Sequence, residues 1–169
     1  MRRKDREVEN QNEIYDILKR CDTVRIAMHG DVYPYVVPVS FGTEVVDGKA
    51  IIYFHCAREG TKIDLLRENP HVCVEGEIFI QVEKTAHGIT ARYESIVGFG
   101  ECTFVTEKEE ILHGMKLLTE HYGYNEYSLE RCAGLNHLFV GKIVLNEIYG
   151  KKNLPGSLTP ADCDANAVH

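Results

Sequence analysis

The turn signals of this chain constrain its fold more than any other feature. Asp47-Gly48 lies between two runs of β-forming residues and is a strong signal for a tight hairpin. Gly30-Asp31 separates another pair of such runs, TVRIAMH and YPYVVPVSFG. Strands joined by short turns run antiparallel, because such a turn reverses the chain. The sequence therefore favours an antiparallel sheet over alternating parallel β-α units.

About six strands follow from the alternation of apolar and polar residues. Besides the two runs above, the predicted strands are KAIIYFHC, HVCVEGEIFIQVEK, ITARYESIVGFGECTFVT and HLFVGKIVLNEIYG. Pro34 and Pro38 remove ladder donors, so their strand is expected at an edge or a site. Gly98 and Gly100 predict a bulge in the long fifth strand.

Three helices are predicted between groups of strands. They cover residues 7–20, residues 61–68, and a segment that Thr106 and Glu109 open as a capping box and Gly123 ends. Strands in hairpins with helices set between them indicate an α+β fold, an antiparallel barrel with helices packed outside it.

Composition excludes several classes of protein. The chain has 169 residues, enough for about one domain, and a net charge of −7. Its basic residues cluster only at the tip, 1–4, which argues against nucleic-acid binding. No apolar run approaches the roughly 20 residues of a membrane helix, and the first residues lack the apolar core of a signal peptide. We therefore expect a cytoplasmic protein whose six cysteines are reduced thiols.

The segment IIYFHCAREGTKIDLLRENP, 51–70, carries the main functional signal. It leads from a strand, through His55, into a helix that opens with Gly60, Thr61 and Lys62. The free amides of a helix N-terminus, a hydroxyl and an ammonium together suit a phosphate, although the same residues also occur as a simple helix cap. A histidine at a strand end either satisfies local hydrogen bonds or lies beside a ligand as a proton donor.

Other candidate sites are less specific. His71 and Cys73 lie two apart on a predicted strand, but no second pair has metal-like spacing, so we expect no metal site. Ser40 and Ser95 have no adjacent histidine and acid, which a serine nucleophile needs.

Several stretches together resemble one family. RRKDREV, YPYVVPVSFG, the segment 51–70 with HVCVE after it, and YESIVGFGECTFV followed by EKEEILHGMKLL occur in this order and spacing. The chain resembles the 5-nitroimidazole resistance (Nim) family of the pyridoxamine 5′-phosphate oxidase-like, FMN-binding split barrels. The resemblance covers about residues 2–150 and implies a split-barrel domain over 1–150. The polar tail over 151–169 lies outside it, and we expect this tail to be poorly ordered or draped on a partner.

The resemblance implies a six-stranded split β-barrel that forms a homodimer and holds FMN at the interface. Thr61 and Lys62 would bind the flavin phosphate, and the segment around Tyr93 would complete the site, from the same or the other subunit. His55 matches the histidine proposed to work beside the substrate, and Cys56 stands where the family often has serine, a change that could sensitise the site to oxidation. The implied cofactor-binding residues are Pro38, Val39, Ser40, Phe41, His55, Cys56, Ala57, Thr61, Lys62, Tyr93, Ser95 and Ile96.

The implied function is that of an FMN-dependent oxidoreductase that reduces a nitro group, with a reductant such as NAD(P)H and with His55 as catalytic residue. An alternative is a non-catalytic flavin- or haem-binding carrier or sensor, in which a histidine ligates iron. True pyridoxamine phosphate oxidase activity is a third possibility. It would need a second basic phosphate site near the C-terminus, and Lys151-Lys152 are expected to lie in the tail.

Overall fold

The computed structural model describes residues 3–85, 88–126, 134 and 137–155 of the chain. Within this part, eight antiparallel strands form one sheet. They are β1 (Glu7–Val8), β2 (Val24–Met28), β3 (Tyr35–Val39), β4 (Gly42–Val46), β5 (Lys49–Ala57), β6 (His71–Thr85), β7 (Gly88–Val105) and β8 (Leu138–Asn153). The helices are α1 (Gln11–Arg20), α2 (Thr61–Glu68) and α3 (Lys108–His121).

The strand order makes the sheet a split barrel. Hydrogen-bonded neighbours follow the order β3-β2-β6-β7-β8-β5-β4, and β1 pairs with the far end of β8. The two terminal strands of this path, β3 and β4, are consecutive in sequence, and only Ser40 and Phe41 join them. Two residues span only about 7–10 Å, so the sheet must curl until its two ends meet. The predicted α+β split barrel is confirmed, and the line between β3 and β4 is called the seam below.

The sheet has two strands more than the predicted six, because one predicted strand divides into β3 and β4 and the short β1 was not predicted. The run after Tyr35 was predicted as one strand, but the chain changes partner at Ser40 and Phe41, so that β3 pairs with β2 and β4 with β5. Pro38 lies in β3, which pairs only with β2, so the edge position predicted from the prolines is confirmed. The hairpin at Asp47-Gly48 is also confirmed, because both residues have positive φ, 51° and 75°.

The ends of two helices correct the sequence predictions. Helix α1 begins at Gln11 rather than at residue 7, because the Asn10 side chain accepts from the amide of Asn12 at 2.9 Å and caps it. The capping box predicted at Thr106 and Glu109 is wrong. Helix α3 begins at Lys108, and its cap residue Glu107 makes no side-chain capping bond.

The ends of the last elements follow the turn and bulge signals more closely. Gly123 follows the end of α3 with a φ of 83°, as predicted. The predicted bulge is present, since the register of β7 against β8 shifts between Phe99 and Gly100. Strand β8 runs to Asn153, three residues into the predicted tail. Residues 156–169 lie outside the described part.

Alternation along β5 separates the core into two layers. Ile52, Phe54 and Cys56 point into the barrel, where they join the main core with residues such as Ile26 and Ile143. Tyr53 points outward and packs with Met115 of α3 in a second cluster. Helix α3 therefore covers the outer face of β5 and anchors the region in which the candidate site lies.

Candidate functional site

The seam brings together the first group of predicted site residues. Gly42 of β4 pairs with Tyr53 of β5, so Ser40, two residues before Gly42, lies at the level of His55, two residues after Tyr53. Ser40 and His55 are both exposed. The stretch from Pro38 to Phe41 and the end of β5 thus flank one outer surface.

The C-terminus of α3 fixes this seam. The backbone amide of Phe41 donates to the hydroxyl of Tyr122 at 3.4 Å, and the same hydroxyl donates to the carbonyl of Asp22 at 2.6 Å. The ring of Phe41 is fully buried and lies 4.4 Å from the imidazole of His121. The backbone directly after Ser40 is therefore held in place by α3, which suits a surface that positions a ligand.

The predicted residues divide between the two faces of the sheet. Side chains that alternate with buried neighbours point outward at Pro38, Ser40, His55, Ala57, Tyr93 and Ser95. The side chains that face the interior are Val39, Phe41, Cys56 and Ile96. A ligand on the outer surface can reach this second set only through the backbone, which removes any contact with the Cys56 thiol.

The start of α2, which three residues separate from the end of β5, forms an open, positively charged corner. Gly60 precedes the helix with a φ of 120°, and no atom lies within 4 Å of where its Cβ would be. The amides of Ile63 and Asp64 bond to the Gly60 carbonyl, which leaves those of Thr61 and Lys62 at the open first turn. The helix dipole and Lys62 add positive charge at the same point. This corner fits the phosphate of a flavin.

Lys62 lies between the surface and the core. Its ammonium is 5.5 Å from the ring centroid of Phe54. Burial raises the pKa of the Cys56 thiol, and the nearby Lys62 charge only partly opposes this effect. Burial likewise raises the pKa of Cys102 to about 12. Cys56 is therefore a protonated thiol at neutral pH, which lowers the sensitivity to oxidation expected from the sequence.

The second group, Tyr93, Ser95 and Ile96, lies far from the seam. Val140 of β8 pairs with His55, whereas Lys151 of the same strand pairs with Ser95. Val140 and Lys151 are eleven residue steps apart, which is roughly 35 Å along an extended strand at about 3.3 Å per residue. One chain therefore does not bring the two groups together.

Comparison with known proteins places this geometry in a family. The family model of pyridoxamine 5′-phosphate oxidase matches residues 10–152. The chain belongs to the pyridoxamine 5′-phosphate oxidase family. No curated protein matches it in sequence. The family model covers both groups of predicted residues, the first at the seam and the second at the far end of β8.

Several solved structures have the same fold as this chain. A candidate 5-nitroimidazole antibiotic resistance protein from Bacteroides thetaiotaomicron is 26% identical, with a TM-score of 0.75 over 86% of this chain and 85% of that chain. The FAD and haem binding protein from Mycobacterium smegmatis has a TM-score of 0.73 at 15% identity, over 97% and 81% of the two chains. The flavocytochrome Anf3 from Azotobacter vinelandii has a TM-score of 0.72 at 14% identity, over 96% and 76%. The last two likenesses show the fold alone.

A cleft on the outer face of the sheet was not predicted from the sequence. It encloses about 560 Å³ beneath the loop between β2 and β3, and its lining includes Tyr33, Cys73, Phe99 and Glu147. His71 also lines the cleft, and its Nδ1 lies 3.0 Å from Oδ1 of Asn69, which can only accept a hydrogen bond. Within the described residues, no group of three or more His, Cys, Asp or Glu side chains is placed to hold a metal ion.

Sequence reasoning also missed the charges around the second group. The ammonium of Lys151 lies 5.7 Å from the ring centroid of Tyr93, and Lys151 and Arg6 together lower the pKa of the Tyr93 phenol although its burial opposes this. The signal was present in the sequence, because Lys151-Lys152 continue the alternation of β8, but their polarity suggested a tail.

No helix of the described part is both long and apolar enough to span a membrane.

Proposed function

We propose that this protein is an FMN-dependent oxidoreductase that reduces the nitro group of 5-nitroimidazoles. Three findings support the proposal: membership of the pyridoxamine 5′-phosphate oxidase family, 26% identity with a candidate nitroimidazole resistance protein, and the open corner at Gly60–Lys62 after the strand that carries His55. The corner is the observation that carries it, because it supplies amides, a hydroxyl and an ammonium where a flavin phosphate needs them. We propose NAD(P)H as the reductant and the cytoplasm as the location.

When bound, FMN would supply hydride transfer, which is the cofactor's chemistry. The protein would hold the phosphate with Thr61 and Lys62 and border the ring with the backbone of Pro38–Phe41. His55 is exposed on that same outer surface and carries a ring nitrogen able to hold a proton for an oxygen of the nitro group. Nitro reduction consumes protons as well as electrons, so a proton donor at this position has a defined role.

We propose that the working unit is a homodimer. The roughly 35 Å of strand between the two groups of predicted residues supports this, since a second chain can bring its Tyr93 and Ser95 to the first chain's seam. The large exposed apolar side chains on β6 and β7 support it too, because such surface is costly in a monomer. They are Phe79, Val82, Ile89, Val97 and Phe99.

Mixing of two variants tests the shared site. Lys62→Gln damages the first group and Tyr93→Ala the second. If each site takes one group from each chain, mixed subunits regain about a quarter of wild-type activity, since half the dimers are mixed and each of those has one intact site. If the mixture of the two variants stays inactive although subunit exchange has been verified, the shared site is contradicted.

His55→Ala tests the catalytic role. We expect kcat for nitroimidazole reduction to fall by about 10²–10⁴-fold while flavin content is unchanged, because proton transfer is lost and the phosphate seat is kept. His71→Ala is the matched control, since His71 is an exposed strand histidine elsewhere, at the start of β6. Unchanged turnover in His55→Ala would remove His55 from the mechanism.

A non-catalytic carrier is the second candidate. The likeness in fold to a flavocytochrome and to an FAD and haem binding protein favours it. A visible spectrum distinguishes the two functions. A flavin spectrum that bleaches with NAD(P)H and recovers on adding a nitroimidazole supports the reductase, whereas a haem band or a flavin that does not turn over supports the carrier.

A further inference from the structure

The floor of the cleft beneath the loop between β2 and β3 is one row of outward side chains that crosses four strands. Cys73 of β6 is paired with Ala27 of β2 and with Phe99 of β7. Phe99 is paired in turn with Glu147 of β8. Neighbours in such a row have their Cβ atoms about 4.5–5.5 Å apart, so they form a continuous surface. The floor is therefore apolar from β2 to β7 and ends in a carboxylate.

The loop between β2 and β3 adds an exposed apolar wall. Val32 and Tyr33 both line the cleft, and they are 79% and 80% exposed. The loop turns tightly at Gly30, where a Cβ would lie 2.3 Å from the carbonyl oxygen of Tyr33. With Phe99 also exposed, the cleft offers two aromatic rings that a ligand can cover.

A β-bulge brings the carboxylate to the edge of the cleft. The register of β7 against β8 shifts after Phe99, so that Asn146 is an extra residue in β8. Asn146 and Glu147 are consecutive in the strand, and both are exposed and line the cleft. Regular alternation would have turned one of them away from this face, so the bulge is what presents both.

The carboxylate of Glu147 has no counter-ion in the described part of the chain. The hydroxyl of Tyr149 donates to its Oε2 at 2.7 Å, and this neutral group leaves the negative charge in place. The ammonium of Lys49 donates instead to Oδ1 of Asn146, at 3.3 Å. Among the described residues, no cationic side chain lies within 4 Å of Glu147.

The charges around the cleft favour a cationic ligand. His71 also lines the cleft, but its Nε2 lies 3.7 Å from the carboxylate of Glu101, so this imidazole has an acid of its own. The chain as a whole carries a net charge of −7, which attracts cations. The faces of aromatic rings attract cations as well. A ligand with a flat apolar body and one positive charge therefore matches both parts of the cleft.

We propose that this cleft binds a planar aromatic cation, such as an aryl amidinium, with its ring against Tyr33 and Phe99 and its charged group on Glu147. The enclosed volume of about 560 Å³ is within the range of small-molecule sites. An amidinium forms charge-assisted hydrogen bonds with a carboxylate. The inference does not rest on the proposed function, because neither the corner at the start of α2 nor His55 lines this cleft.

Calorimetric titration of the full chain with benzamidinium tests the proposal. Benzamide is the matched control ligand, since it has the same ring and shape without the charge. We expect saturable binding of benzamidinium that is at least about tenfold tighter than that of benzamide, because only the cation forms a charge-assisted pair with Glu147. Bound benzamidinium should also slow the alkylation of Cys73 by iodoacetamide, since Cys73 lies on the floor of the cleft.

Variants locate the binding. Glu147→Gln should lose the preference for the cation, and Tyr33→Ala should weaken the binding of both ligands. Glu109→Gln, an exposed glutamate of α3, is the control and should bind as wild type does. The molar mass from light scattering should stay unchanged during the titration. The proposal is overturned if wild type shows no saturable binding of benzamidinium, if Glu147→Gln keeps the preference, or if the ligand halves the molar mass, which would make this face an interface between copies.

Discussion

The ion pair between Arg20 and Glu94 allows a quantitative test of what holds the second group of site residues in place. The guanidinium of Arg20 donates to Glu94 at 2.7 Å, and the Glu94 side chain is fully buried between Tyr93 and Ser95 in β7. A second nitrogen of Arg20 and the other oxygen of Glu94 are buried without a hydrogen-bond partner among the described residues. The pair is thus buried but incompletely satisfied.

Arg20→Met should destabilise the protein by about 3–5 kcal/mol, because it leaves a buried carboxylate without its counter-charge. The bond from Arg20 to the exposed Asp16 adds only about 0.3–0.5 kcal/mol. A protein of this size loses about 2–4 °C in Tm per kcal/mol, so we expect a fall of roughly 6–20 °C in thermal unfolding.

The double variant Arg20→Met with Glu94→Leu should recover most of this loss. Well-packed apolar residues in place of a buried pair are often neutral or stabilising, and they also remove the two unpaired atoms. Arg25→Met is the matched control, since Arg25 pairs with Glu75 on the surface and should cost at most about 1 kcal/mol. The reasoning would be refuted if the double variant lost as much stability as the two single variants together. It would also be refuted if Arg20→Met cost no more stability than the control Arg25→Met.

Three further predictions follow from contacts in the described part. Gly114→Ala should destabilise by about 1–3 kcal/mol in denaturant unfolding, although alanine favours helix, because its Cβ would lie 2.6 Å from the Tyr53 ring; a stabilised variant would contradict this packing. Burial lowers the pKa of His121 below its ordinary value, so the unfolded chain binds the proton more tightly and stability should fall as pH drops below about 6.5; His121→Gln should flatten that slope in Tm against pH, and an unchanged slope would count against it. The Cys56 thiol, whose pKa is raised by burial, should react with iodoacetamide at neutral pH far more slowly in native than in unfolded protein, and equal rates would show that it is accessible.

Much of the fold could be predicted because its signals are local. Asp47-Gly48 specifies a turn, the glycines of β7 mark a bulge, and alternation identifies the strands. The split of one predicted strand into β3 and β4 could not be predicted, since it depends on which strands each half pairs with, not on its own residues. Helix α1 was predicted too long because Glu7 and Val8 fit a helical pattern as well as a strand that is set by its pairing with β8.

The candidate site was predictable by residue type but not by position. The sequence predicted that a helix starts at Thr61 and Lys62, and α2 begins there. Strand register determines which of the predicted side chains face outward. Because the run IIYF is apolar on both faces of β5, the alternation of apolar and polar residues could not show which of its side chains face outward. The separation of His55 from Tyr93 depends on the length and register of β8, which no local pattern specifies.

The binding of FMN at the Gly60–Lys62 corner is the central claim, and reconstitution tests it most directly. The purified protein is incubated with FMN, passed through a desalting column and examined by visible absorption, with Lys62→Gln and Lys116→Gln in parallel. The account predicts a two-banded flavin spectrum that wild type and Lys116→Gln retain and Lys62→Gln loses, since only Lys62 lies at the helix start. Equal retention by Lys62→Gln, or a wild-type protein that remains colourless, would contradict it.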